Sequence, residues 1–189
     1  MTDPLQHVPE FVVHQKVTPV TNKYRIMPAG SDKRGPLLAF AQQKKMKLKE
    51  EVHFYSEEDR ADLLFSFKSR QKLDLHATSD IMDLSGNVIA TFTKDFGKSL
   101  VKSTWHLDYG DVETLGAESS TGKAIFRRVI DVPVRFDFAF VDKATDKAVM
   151  HVGRDRSLKD KYTVTVPDER LPFAVAAAMT VALDAFQGR

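Results

Sequence analysis

The stretch from Leu171 to Phe186, LPFAVAAAMTVALDAF, decides the fold, because it predicts a helix without a polar face. Only Pro172, Thr180 and Asp184 interrupt the apolar residues, and the stretch contains no Lys, Arg or Glu. Alanine, its commonest residue, is the strongest helix former. A helix that is apolar on every side must be buried on every side. The rest of the chain is therefore expected to enclose it.

The flanking residues predict where this helix begins and ends. Asp168 or a neighbouring residue is expected to cap the start, Pro172 is acceptable in a first turn, and Gly188 lies just past the end. A membrane tail anchor is the alternative. It is disfavoured because sixteen residues reach about 24 Å, less than the roughly 30 Å of a hydrocarbon core. Asp184 would also be costly inside a bilayer.

The remainder of the chain shows the two-residue period of strands rather than the period of helices. The clearest case is the segment 134–140, VRFDFAF, in which large apolar residues alternate with charged or small ones. Such alternation places one face of a strand on a core and the other in water. About eleven or twelve short strands are predicted. They span 11–17, 23–27, 36–43, 51–55, 63–68, 72–76, 79–83, 87–93, 101–107, 134–140, 147–152 and 162–166.

Turn residues between these segments predict hairpins. Asp83-Leu84-Ser85-Gly86-Asn87 separates two apolar strands, and 142–147 has the same form. A looser hairpin is expected from Tyr24 to Phe40 through Gly30 and Gly35. The segment 121–131 is predicted to form a short helix.

Strand number and helix together predict a closed barrel. A barrel of eight strands is filled by its own side chains, whereas eleven or twelve strands leave room for a helix about 10 Å across. The predicted fold is mainly β, a closed antiparallel barrel of roughly twelve strands enclosing a central hydrophobic C-terminal helix. Residues 1–10 are predicted to be an N-terminal arm, and 11–189 a single domain with the helix at 171–186.

Composition excludes several classes of function. The 189 residues include 28 basic and 26 acidic side chains, a balance too even for a protein built around a nucleic-acid track. The absence of cysteine excludes disulfides, thiolate metal sites and a cysteine nucleophile. The first residues lack the basic and apolar segments of a secretory signal. We therefore expect a cytoplasmic protein, peripheral to a membrane if it binds lipid.

The chain resembles the tubby C-terminal-like superfamily, most closely its LURP-one-related and phospholipid-scramblase-like branch. The resemblance is carried by the hairpin 81–89, the stretch from Lys94 to Trp105 and the helix cadence at 174–184. It spans most of residues 10–187. It implies a twelve-stranded barrel around a hydrophobic C-terminal helix, the fold already predicted.

The functions implied by the resemblance are less specific than the fold. Eukaryotic tubby domains bind phosphoinositide headgroups through basic residues, and scramblase relatives act at membranes with calcium. No lipid-binding residue of the family can be matched to a position of this chain. The segment 153–161, GRDRSLKDK, is as basic as it is acidic and does not resemble an acidic calcium segment.

Two basic segments are the strongest candidates for a binding site. Four lysines occur within 44–49, and a second cluster lies at 68–72. Lysines near an anionic membrane contribute up to about 1 kcal/mol each. The alternative is a solvated loop, or a strand edge that lysines protect against aggregation. The candidate lipid-binding residues are Lys44, Lys45, Lys47, Lys49, Lys68, Arg70 and Lys72.

Motifs for catalysis, nucleotides and metals do not meet their requirements. The segment 119–124, SSTGKA, has Ala124 where a phosphate-binding loop needs Ser or Thr, and Gly116 is one residue too far away. The six histidines are scattered singly, so no metal site or cofactor is expected. No G-x-S-x-G motif is present.

Three functional hypotheses remain open at this stage. The first is a non-enzymatic domain that recognises anionic phospholipid or a protein partner on the barrel exterior. The second is an enzyme, which predicts a side pocket with converging acidic or histidine groups and a perturbed pKa. The third is a structural or self-association protein, which predicts an exposed apolar patch.

Overall fold

The structure, a computed structural model, describes residues 3–44, 51–70, 76–96, 103–118, 137–155 and 160–186. Within these ranges the chain forms twelve strands and one long helix. They are β1 (Glu10–Val17), β2 (Thr21–Pro28), β3 (Ala39–Lys44), β4 (Glu51–Tyr55), β5 (Leu63–Ser69), β6 (His76–Met82), β7 (Val88–Phe96), β8 (Ser103–Tyr109), β9 (Val112–Glu118), β10 (Phe138–Asp142), β11 (Ala148–Arg154), β12 (Lys161–Thr165) and α1 (Phe173–Ala185).

The strands form a closed antiparallel barrel in which neighbours in sequence are neighbours in the sheet. The closing pair is β1 with β12, where Phe11 lies opposite Val164 and His14 opposite Lys161. Closure leaves no strand edge open along the ring, so every strand is hydrogen-bonded on both sides. The predicted fold is confirmed.

Helix α1 fills the barrel. Its residues from Phe173 to Leu183 are all buried, including every alanine among them. The Phe173 ring packs edge-on against the rings of Phe11 and Phe65 of the barrel wall. Large rings on the wall thus pack against a helix of mostly small side chains. The prediction that the helix is buried on every side is confirmed.

The predicted N-cap of the helix is wrong. Pro172, with extended backbone angles, is the N-cap residue and makes no side-chain capping bond, so the helix begins at Phe173 rather than at 171. The Asp168 carboxylate instead accepts hydrogen bonds from Tyr109 and Arg170. The first-turn amides of Phe173 and Ala174 donate to the carbonyls of Gln6 and Pro4, at 2.7 and 2.9 Å. Residues 3–9, the N-terminal arm, thus provide the cap.

The two ends of the barrel are distinguished by the direction of α1. Phe11, near the start of β1, packs on Phe173, while Gln15, near its end, donates a hydrogen bond to Asp184. We call the end at which α1 starts the amino end and the end at which it finishes the carboxyl end. Because the strands alternate in direction, the β1–β2 turn lies at the carboxyl end and the β6–β7 turn at the amino end.

The strand predictions are correct in number but not in every position. Strand β9 was not predicted, and the predicted strand 79–83 corresponds to β6, which begins three residues earlier, at His76. Residues 72–75 of the predicted strand 72–76 lie outside the described residues, as do the predicted helix 121–131 and the first residues of the predicted strand 134–140.

The predicted hairpins are confirmed. Between β6 and β7 the Asp83 carboxylate accepts hydrogen bonds from the amides of Ser85 and Asn87, and Gly86 has a positive φ of 80°. The β10–β11 hairpin turns at 142–147, and the β2–β3 hairpin pairs Ile26 with Ala39. Asx geometry and glycine thus set the turns that the sequence indicated.

Candidate functional site

Three of the predicted basic residues are described, and they lie at or just after two strand ends at the carboxyl end of the barrel. Lys44 is the last residue of β3, and its backbone pairs with Thr21 at the tip of the β1–β2 hairpin. The Lys68 ammonium group lies 3.9 Å from the Glu51 carboxylate. The Arg70 guanidinium donates hydrogen bonds of 2.6 to 3.0 Å to the Asp80 carboxylate. The remaining candidates lie outside the described residues: Lys45, Lys47, Lys49 and Lys72.

The topology therefore brings the borders of both basic segments to one end of the barrel. Lys44 and Glu51 enclose the first segment in sequence, and Glu51 lies directly opposite Lys68 in the β4–β5 ladder. Among the described members, Lys68 and Arg70 are engaged with carboxylates, which reduces their net positive field.

The β1–β2 hairpin projects two apolar side chains at this same end. Val17 is 60% exposed and Val20 is 69% exposed. The turn between them is held by Thr18, whose amide and hydroxyl both donate to the Thr21 carbonyl, at 2.9 and 2.7 Å. The hairpin tip thus presents apolar surface from a turn with defined hydrogen bonds.

Two lysines face each other directly behind this tip. Lys16 of β1 and Lys23 of β2 are cross-strand partners on the outer face of the barrel. Neither has an ion-pair partner among the described residues. Like charges opposite each other destabilise a sheet, so this arrangement carries a cost that a bound anion would remove.

A side pocket of about 520 Å³ opens on the outer face beside these lysines. Four cationic side chains line it against two carboxylates, which gives the pocket a positive balance. Its floor is formed by β1–β3, and its rim by the β2–β3 and β4–β5 connections and by Asp160, just before β12. The lining includes His14, Lys16, Val17, Lys23, Arg25, Lys33, Phe40, Glu58 and Asp160.

The floor of this pocket contains polar atoms without partners. His14 and Arg25 are cross-strand neighbours, the next outward pair along from Lys16 and Lys23. Both ring nitrogens of His14 and the Nε of Arg25 are buried, with no hydrogen-bond partner of good geometry among the described residues. Most buried polar groups in folded proteins are paired, so two such residues side by side indicate a place for a ligand.

Burial and the positive charge nearby lower the pKa of His14. Desolvation has the largest effect, followed by the positive charge of Lys161 on β12, and Lys33 lowers the pKa further. The Ser31 carbonyl and the Asp160 carboxylate raise it, but their effects are smaller. At neutral pH the His14 ring is therefore uncharged, with one nitrogen able to donate and the other able to accept.

The two carboxylates of the pocket are each held by a cation. Glu58 forms an ion pair with Arg25, and Asp160 accepts a 2.9 Å bond from the Lys33 ammonium group. That lysine lowers the pKa of Asp160. Because both carboxylates are bound to cations, the pocket is better arranged to hold an anion than to transfer protons.

Sequence reasoning missed this pocket, although part of its signal was present. The segment Lys16-Val17-Thr18-Pro19-Val20-Thr21-Asn22-Lys23 is a hairpin centred on its Pro-Val step, which places the two lysines opposite each other. Lys33, Glu58 and Asp160 come from three separate connections, and no local pattern links them.

No three His, Asp or Glu side chains among the described residues are arranged to hold a metal ion. None of the helices in the described part of the chain has the length and hydropathy needed to cross a bilayer.

The fold defines a class of protein, a twelve-stranded antiparallel barrel closed around a C-terminal helix. The family model of the LURP-one-related proteins matches residues 38–184, and the chain belongs to this family. The predicted membership is thereby confirmed. Among solved structures, the chain is similar to a protein from Arabidopsis thaliana, with 14% identity over 98% of this chain and 96% of the other, at a TM-score of 0.37. No curated protein matches the chain.

Proposed function

We propose that this chain is a non-enzymatic binding domain that recognises anionic phospholipid membranes with the carboxyl end of its barrel. The β1–β2 hairpin is the proposed contact, with its two exposed valines entering the interface and the lysines behind them meeting the headgroups. The protein then acts as a peripheral domain at a cytoplasmic membrane surface.

The observation that carries this proposal is the facing pair of lysines behind an apolar tip. Lys16 and Lys23 have no acidic partner among the described residues, and Val17 and Val20 extend beyond them. Apolar side chains with flanking cations are the combination that binds an anionic bilayer surface. The backbone of Lys44, the first lysine of the predicted basic segment, pairs with Thr21 beside this tip.

The opposite end of the barrel shows why the charge matters. There the β6–β7 hairpin also exposes apolar side chains, Leu84 at 64% and Val88 at 53%. Its turn is built on the Asp83 carboxylate rather than on lysines. Charge complementarity to an anionic surface therefore favours the β1–β2 hairpin over the β6–β7 hairpin.

Co-sedimentation with vesicles tests the proposal. Neutral phosphatidylcholine vesicles are compared with vesicles containing phosphatidylserine, at low and high salt. We expect salt-sensitive binding to the anionic vesicles alone, because exposed charges are screened by ions. The variant Lys16→Gln/Lys23→Gln should weaken binding by about 2 kcal/mol, at about 1 kcal/mol per lysine.

Matched variants at the two barrel ends make the test specific. Val17→Ser/Val20→Ser should reduce binding, whereas Leu84→Ser/Val88→Ser, with similar exposure at the amino end, should not. Likewise Lys143→Gln/Lys147→Gln removes two exposed lysines from the β10–β11 hairpin at the amino end and should leave binding intact. Equal losses from both ends, or no binding to anionic vesicles, would refute the proposal.

A further inference from the structure

We infer that the side pocket floored by His14 and Arg25 is a binding site for a phosphate monoester group. This site adjoins the hairpin tip and shares Lys16, Val17 and Lys23 with it, but its existence does not depend on the membrane proposal. The ligand chemistry is the same for a soluble phosphate ester and for a lipid with a terminal phosphate, so the experiment below distinguishes the two sources.

The unpaired polar atoms of the floor are the first argument. His14 is 6% exposed, and its ring, like the Arg25 Nε, lacks a partner of good geometry among the described residues. Leaving such groups buried and unpaired is unfavourable, whereas an oxygen-rich ligand would accept from Arg25 and from the His14 N–H. The two residues are adjacent across the β1–β2 ladder, so one ligand group reaches both.

The charges around the floor select an anion. Lys16 and Lys23 repel each other at the mouth of the pocket, and Lys33 approaches from the β2–β3 connection. Cationic side chains outnumber the two carboxylates, each of which already has a cation of its own. A phosphate monoester carries close to two negative charges and three terminal oxygens, which suits several donors converging from different elements.

The size and walls of the pocket favour an organic phosphate over a bare ion. A volume of about 520 Å³ lies within the range of small-molecule sites. Phe40 and Val17 give part of the wall an apolar character suited to the carbon skeleton of the ligand. Phosphate is thus expected at the His14–Arg25 floor, with the organic part towards these two residues.

An anion in this position changes the titration of His14. Charged groups from several elements face the ring. They are Arg25 on β2, Lys33 in the β2–β3 connection, Asp160 just before β12, Lys161 on β12 and Lys16 on the same strand as His14. A bound phosphate adds negative charge beside an imidazole that is now uncharged. The pKa of His14 should therefore rise when the site is filled.

Nuclear magnetic resonance of the histidine rings in the full chain tests the site. The probes are inorganic phosphate and glycerol 3-phosphate, with glycerol as the uncharged control. We expect both phosphates to shift the His14 ring signals saturably and to raise its pKa, with glycerol 3-phosphate binding more tightly. Absence of a saturable shift at millimolar probe concentrations would overturn the inference.

Variants separate the pocket from general charge attraction. Lys16→Gln/Lys23→Gln, at exposed or half-exposed positions, should weaken glycerol 3-phosphate binding by about tenfold or more. His14→Gln should also weaken it, and thermal unfolding checks that this variant is folded. Lys143→Gln/Lys147→Gln removes the same charge from the far end of the barrel. An equal loss in that control would overturn the inference.

Vesicles containing phosphatidic acid identify the source of the phosphate. Binding to them that is weakened by His14→Gln and competed by glycerol 3-phosphate would support the pocket with a lipid ligand. Binding of glycerol 3-phosphate without vesicle binding would support the pocket with a soluble ligand and refute the membrane proposal. Vesicle binding that depends on Val17 and Val20, with no effect of His14→Gln and no binding of the soluble phosphates, would support the membrane proposal and refute the pocket.

Discussion

Asp184 is the charged residue of the apolar helix, and three neutral donors surround its carboxylate at the carboxyl end of the barrel. Gln15 of β1 and Tyr162 of β12 donate to it, and the Tyr24 hydroxyl of β2 donates at 2.8 Å. Burial and then the negative charge of Asp184 raise the pKa of Tyr24, so that hydroxyl remains a donor. One carboxylate thus ties the last turn of α1 to three strands on either side of the barrel closure.

Replacing this carboxylate should destabilise the protein. Asp184→Ala removes the acceptor shared by Gln15, Tyr162 and the buried Tyr24 hydroxyl, which keeps only a longer contact of 3.4 Å to Gln43. We expect the free energy of unfolding to fall by about 2 kcal/mol or more. Urea denaturation followed by the fluorescence of Trp105, the single tryptophan, measures this. Tyr162→Phe removes one donor and should cost about 1 kcal/mol. Unchanged stability of Asp184→Ala would contradict a role for the carboxylate in holding the helix.

Buried histidines should make the protein less stable in mild acid. Burial lowers the pKa of His14 and of His151 below the usual 6.5. As the pH falls below 6.5 the unfolded chain takes up protons that the folded chain does not, so the free energy of unfolding decreases. The pKa values of Asp142, Asp160 and Asp168 are also lowered in the folded protein. The stability that these carboxylates contribute is lost only when the pH falls below about 4, so they do not account for a change in mild acid.

Urea denaturation at about pH 7.5 and about pH 5 measures this dependence. The variant His14→Gln/His151→Gln should lose less stability than the original chain between the two values. A double variant with the full original pH dependence would show that other groups are responsible.

Helix α1 is secured at both ends by partners outside itself. At its start the N-terminal arm supplies the carbonyls of Gln6 and Pro4 to the first-turn amides. At its end the buried Lys94 ammonium group donates to the Phe186 carbonyl at 2.6 Å and lies over the Trp105 ring. A cation at a helix C-terminus also interacts favourably with the helix dipole. The element therefore depends on the barrel for its caps as well as for its burial.

Removing the N-terminal arm should destabilise the helix. Deletion of residues 2–7 takes away both capping carbonyls and leaves the amides of Phe173 and Ala174 unpaired. We expect the free energy of unfolding to fall by about 2 kcal/mol. Gln6→Ala is a matched control, since it removes the side chain but keeps the backbone carbonyl, and it should have little effect. Equal stability of the truncated and original chains would show that the cap is dispensable.

At the scale of the whole molecule, the barrel and the helix share one core. The main buried cluster includes side chains from α1 and from strands all around the barrel, and Phe92, Trp105 and Phe186 pack ring against ring near the carboxyl end. A closed ring without a separable half leaves no part able to keep a core of its own. The molecule should therefore unfold as a unit.

Coincident unfolding transitions are the expected result. Fluorescence of Trp105 reports the packing near the helix end, and far-ultraviolet circular dichroism reports the strands. Both should give the same midpoint and the same free energy in urea, as expected of a single cooperative domain. Two separated transitions would show that part of the barrel unfolds independently of the helix.

Strand β9 shows why the sequence could not predict every element. Its inward positions are Val112, Thr114 and Gly116, which contribute little apolar volume. The Phe140 ring of β10 occupies the space in front of Gly116, where an added Cβ would lie 2.3 Å from it. The apolar volume at this position is thus supplied by Phe140 of the neighbouring strand. Strand β9 itself therefore lacks the alternation of large apolar and polar residues on which strand prediction relies.

The sequence alone determined the buried helix, the antiparallel barrel and most of its hairpins. It could do so because these features depend on patterns within a few residues: an apolar stretch without a polar face, alternation along a strand, and Asp or Gly at a turn. Only the tertiary structure decided which outward side chains meet. Lys33 and Asp160 are bonded across 127 positions of sequence, and His14 meets Arg25 through the register of one ladder. Contacts set by barrel closure and strand register leave no local trace, so the pocket could only be found in the folded chain.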